Sequence, residues 1–70
     1  MHPLESDGRK VGRFVLVRDV DGRRHAISAT AVAAVSDDGC DGSLLLLPGG
    51  RLVRVEAAVE VVVEWLSGGR

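Results

Sequence analysis

Two turn signals, Asp21-Gly22 and Pro48-Gly49-Gly50, each set between short apolar runs, constrain this chain more than anything else in it. An Asp-Gly pair supplies the left-handed backbone that tight hairpins need, and a Pro-Gly-Gly step reverses a chain for a similar reason. They predict two β-hairpins. In the first, Arg13–Asp19 enters the turn Asp19–Arg23 and returns as Arg24–Ser28. Phe14 and Leu16 point to one face of the leading strand and Val15 and Val17 to the other, so both faces of its middle need cover. In the second hairpin the fully apolar Leu44–Leu47 returns as Arg51–Val55, with Val53 and Val55 on one face and Leu52 and Arg54 on the other.

Between the hairpins, Ser28 or Thr30 can cap a short helical turn over Ala29–Ala34, leading into a strand near Ala33–Val35. A strand running through Val32–Val35 is the alternative. Ser36–Ser43 reads as an exposed loop, with Gly39 and Gly42 as its positive-φ positions. Residues 1–12 combine Pro3, Gly8, Gly12 and mixed charge without periodicity, and read as a flexible or loosely docked tail. That leaves residues 13–67 as one domain.

The last segment, Glu56–Ser67, carries two competing periods. As a strand it alternates Val59, Val61, Val63 and Trp65 with Glu60, Val62 and Glu64, and its valines favour that state. As a helix it gathers Glu56, Glu60 and Glu64 within about 80° of the wheel, and Ser67-Gly68-Gly69 supplies a stop. Length and the glutamate spacing decide for the helix. Its apolar arc then spans about 200°, wider than the stripe needed to sit on one core. The surplus, carried by Val59, Val62, Val63, Trp65 and Leu66, predicts a contact with a second copy; the alternative is that the N-terminal tail or a loop folds over it. The expected architecture is α+β: a small bent antiparallel sheet of four or five strands, partly barrel-like, with one C-terminal amphipathic helix.

Seventy residues make at most one small domain, of a size that often relies on disulfides, metal or oligomerisation for part of its stability. Cys40 is the sole cysteine, so no intrachain disulfide forms, and no Cys/His cluster marks a structural metal. Self-association remains. The start of the chain lacks the apolar segment of a signal peptide, and the longest apolar runs, Ala31–Val35 and Leu44–Pro48, fall short of the ~20 residues that span a bilayer. A cytoplasmic protein without a membrane contact is expected.

Catalytic and metal motifs fare poorly. Counted as a calcium loop from Asp37, position three is Gly39 and position twelve is Pro48, where oxygen ligands are required. Cys40 lies in an acidic loop, without the cationic neighbours that activate a thiol, and nothing in the sequence ties His2 or His25 to it. Gly49-Gly50-Arg51 sits in a hairpin rather than before a helix, so it makes no phosphate cradle. Neither an enzyme nor a cofactor is expected.

Charge is divided unevenly. Residues 1–28 hold six basic side chains against four acidic, and residues 29–70 hold three against six, for a net charge of −1. Arg18, Arg23 and Arg24 form a basic patch. Asp19 and Asp21 interrupt it and no exposed aromatic accompanies it, which argues against nucleic acid and for solvated charges that protect a strand edge. Asp37, Asp38 and Asp41, with Glu56, Glu60 and Glu64, form an acidic surface able to imitate phosphates against a basic groove.

The stretches VLVRDVDGRRHAIS, ATAVAAV, SLLLLPGGRLVRV and EAAVEVVVEWL together resemble the small FlbD/SwrD-like group associated with flagella and swarming. Ser28 and Ala29 stand where that group has aromatic or Asn residues, and an extra tail precedes the first strand. The resemblance implies the strand–turn–strand topology with a final helix and carries no catalytic residues. The functional expectation is a small non-catalytic adaptor or regulator, acting on an unidentified protein partner and as a homodimer through Val59–Leu66 or an exposed strand edge. The alternative is a phage or mobile-element inhibitor of the anti-CRISPR or anti-defence type, and a third reading, behind both, is a nucleic-acid-binding regulator using the Arg18, Arg23 and Arg24 patch.

Overall fold

The computed structural model describes residues 7–68. It is a small α+β fold of six strands and one helix. Strands β1 (Arg9–Val11), β2 (Phe14–Arg18) and β3 (Arg24–Ser28) form the antiparallel sheet A, and β4 (Ala34–Asp37), β5 (Ser43–Leu47) and β6 (Arg51–Val55) form the antiparallel sheet B. Helix α1 (Val59–Leu66) follows. Both predicted hairpins are present, at β2–β3 and β5–β6. The second turns through a 3-10 step whose Gly49 and Gly50 have φ of 82° and 77°, a region side chains avoid.

The expectation of one bent, partly barrel-like sheet of four or five strands is corrected to two three-stranded sheets that do not close. They meet at one corner, where Asp19 bridges Val55 and the Val20 amide donates to the Arg54 carbonyl at 2.9 Å. Part of the segment assigned to a tail is strand: β1 pairs Lys10 with Val15 and Val11 with Phe14, across a turn at Gly12-Arg13. Three residues of ladder carry no periodicity of their own, so β1 is dictated by the edge that β2 offers. Residues 1–6 of that segment lie outside the described residues.

Between the sheets, Ala29–Ala31 forms the short turn expected there, and β4 starts at Ala34 but runs on through Asp37 into the predicted loop. Gly39 has the positive φ expected of it, whereas Gly42 does not. Gly42 is required for space: a Cβ there would lie 2.6 Å from the Val55 carbonyl oxygen and from an Asp38 carboxylate oxygen.

Strand alternation builds the core. Val15, Val17 and Ile27 face inward from sheet A, Leu45, Leu47, Val53 and Val55 from sheet B, and Val62 from α1. The helix begins three residues later than predicted. Buried Ser43 donates its hydroxyl to the Ala57 carbonyl at 2.6 Å, which ties down the segment ahead of Val59, and Ala58 at the N-cap has extended backbone. Its end is as expected, with the Ser67 amide donating to the Val63 carbonyl. Trp65 packs against Gly8, where any side chain would collide with the indole, so the backbone just before β1 lies against the helix at Gly8.

Candidate functional site

The helix does not offer the face expected of it. Val62 is completely buried in its own chain's core, Trp65 and Leu66 are half-buried against that core, and Val59 is half-buried beside the Asp37–Asp41 loop. Of the five residues assigned to a partner, only Val63 is mostly free, at 48% exposure. Val61, also exposed, lies about 160° from Val63 on the wheel, so the two flank the buried stripe as separate strips. The ~200° arc is real, but its middle is spent on the core.

The uncovered apolar surface lies on sheet B. Leu45 and Leu47 point inward along β5, so Leu44 and Leu46 point outward. Register places Ala34, Leu46 and Leu52 in one row across the outer face, with Ser36, Leu44 and Arg54 in the next. Leu46 is 37% exposed and Leu52 60%. Val20, 42% exposed, joins Leu44 and Leu52 around a shallow depression rimmed by Asp19, Asp21 and Arg54. A run of four apolar residues such as Leu44–Leu47 normally has both faces covered, and here the outer one is left partly open. Sequence reading marked Leu44–Leu47 as fully apolar; that strand, rather than the helix, signalled the open face.

The acidic set is only partly gathered. Asp37, Asp41 and Glu60 border one cleft between the loop and the start of α1, while Asp38, Asp41 and Glu56 border a second beside Arg54. Asp38 is structural. One carboxylate oxygen accepts the Cys40 and Gly42 amides at 2.7 and 3.2 Å, and the other lies 3.6 Å from the Arg54 guanidinium. Glu64 borders neither cleft. Cys40 is exposed. Among the described residues, no three His, Cys, Asp or Glu side chains converge to hold a metal ion.

His25 has a partner that sequence reading missed. Its Nε2 donates to the Asp19 carboxylate at 2.7 Å, and the other Asp19 oxygen accepts the Asp21 and Arg23 amides at 2.9 Å each. The His25 hydrogen bond, aided by those amides, holds the Asp19 carboxyl below its ordinary range against an opposing effect of burial. An Asp opening an Asp-x-Asp-Gly turn is the signal that could have found the amide contacts.

Of the basic patch, Arg18 and Arg24 stand directly opposite each other across β2 and β3, and Arg23 lies in the turn. Arg18 is half-buried and borders a cleft with Asp7, Asp19, Val55, Glu56 and Trp65. Its Nε has no hydrogen-bond partner among the described residues.

No helix among the described residues is long and apolar enough to cross a membrane. Compared with known proteins, the chain matches no protein-family profile, no curated protein and no solved structure.

Proposed function

We propose that this chain is a small non-catalytic adaptor or regulator that works as a homodimer, two copies meeting through the outer face of sheet B. One observation carries the reading: exposed Leu46, Leu52 and Val20, with Ala34 and half-buried Leu44 beside them, form an apolar patch that the chain leaves open to water. Monomeric proteins rarely leave such patches without a use. An apolar centre inside the rim of Ser36, Arg54 and Asp21 has the layout of a protein interface. A two-fold axis through Leu46 and Leu52 would place the same leucines opposite each other in both copies. The cytoplasmic setting, and the flagellar context implied by the FlbD/SwrD-like resemblance, belong to the same proposal.

Sedimentation equilibrium tests it. The expected mass at micromolar concentration is twice 7.4 kDa, and Leu52→Glu returns it to 7.4 kDa with the circular-dichroism spectrum unchanged. A wild-type mass of 7.4 kDa at every concentration would refute the homodimer.

The second reading, a mobile-element inhibitor that imitates phosphates, is favoured by the cleft bordered by Asp37, Asp41 and Glu60. It stands behind the first because Asp38 is engaged within its loop and Glu64 lies apart from both acidic clefts.

A further inference from the structure

We infer that the outer face of sheet A binds single-stranded nucleic acid. Register places Val11, Phe14 and Ser28 in one row of that face, Arg9, Leu16 and Ala26 in the next, and Arg18 with Arg24 in the third. None of these residues is acidic, while Arg18 also borders the cleft lined by Asp7, Asp19 and Glu56. At the β1–β2 turn, the Arg13 guanidinium lies over the Phe14 ring, 5.6 Å from its centroid, and the Phe14 residue is 39% exposed.

The fold removes one of the two sequence arguments against nucleic acid. Phe14 is the exposed aromatic that was held to be missing. Asp19 and Asp21 still interrupt the patch by their charge, with the Asp19 carboxylate engaged by His25 and the turn amides rather than by an arginine. His25 registers with Val17, whose row faces the core. Meanwhile Arg18 and Arg24 face each other as like charges, an unfavourable cross-strand pair. Among the described residues, no carboxylate reaches ion-pair distance of Arg9, Arg13, Arg18, Arg23 or Arg24. An anionic ligand would relieve that repulsion.

The apolar centre and the ring select the kind of anion. Bases of any sequence stack on an aromatic ring or a guanidinium plane, while arginines around it hold phosphates. An acidic peptide would use the arginines and leave Phe14 idle. Duplex DNA fits poorly, since its major groove admits a helix or a two-stranded ribbon rather than the face of a three-stranded sheet.

The test is fluorescence anisotropy of labelled oligo-dT and oligo-U titrated with the full chain at low salt. Binding should weaken steeply as salt rises, with a log–log slope of about −2 if three phosphates are engaged. Joint replacement Arg9→Glu and Arg24→Glu should weaken it at least about tenfold and flatten the slope. Phe14→Ala should weaken it about fivefold or more and leave the slope unchanged, which separates stacking from charge. Arg51→Glu, on sheet B, should have little effect, and melting curves show that each variant is folded. Absence of binding at low salt overturns the inference. So does equal affinity for poly-glutamate, which would indicate an acidic protein partner, or a loss with Arg51→Glu as large as that with the paired replacement.

Discussion

Ser43 shows how one hydroxyl can set an element. It is fully buried, and its hydrogen bond to the Ala57 carbonyl ties the end of sheet B to the approach of α1. Ser43→Ala leaves that carbonyl without its partner and should lower stability by about 1–3 kcal/mol in urea denaturation, with little change in secondary structure. Asp19 works by charge. Its carboxyl titrates below the ordinary range in the fold, so the unfolded chain takes up the proton first as pH falls. Its contribution is therefore complete above the ordinary carboxylate value of about 3.9 and is lost as pH drops through the lower folded value. Melting temperatures measured between about pH 5 and pH 2 should show this loss in the native chain and a smaller one in Asp19→Asn. Neither role was legible beforehand. Ser43 reads as a loop residue until its partner fourteen positions away is known, and His25 has no visible partner until the hairpin brings it to Asp19.

At the scale of elements, local chemistry was readable wherever a turn or a cap imposed it. The hairpin turns and the Ser67-Gly68 stop follow from residues acting on their own neighbours. Strands β1 and β4 were harder because partners define them. Arg9–Val11 is exposed along its whole length, and β4 presents only Val35 toward the core. The helix shows the limit of a wheel argument: arc width counts apolar residues but cannot say which are already used. Val62→Ala should cost about 2 kcal/mol by leaving a cavity in the core, measurable as a lower denaturation midpoint. Val63→Glu, on an exposed flank, should shift stability by no more than about 0.5 kcal/mol. It should also leave the sedimenting mass unaltered, which separates the helix from the interface.

As a whole molecule, the chain repeats one plan: a three-stranded meander followed by a helical segment, short after sheet A and longer after sheet B. Inward faces of both sheets share one core, so each outer face is left to meet something else. Those faces differ in chemistry, with leucines on sheet B and arginines around a phenylalanine on sheet A. The uneven charge along the sequence anticipated that division in part, placing the basic side in the first half. It did not reveal that Arg9 shares a face with Arg24, since strand pairing alone joins them. Self-association through sheet B is the central claim, and methyl NMR over a dilution series tests it at the surface concerned. On dilution, the Leu44, Leu46 and Leu52 methyl resonances should move together while those of Val61 and Val63 stay fixed. Fixed leucine resonances, or movement confined to the helix valines, would contradict it.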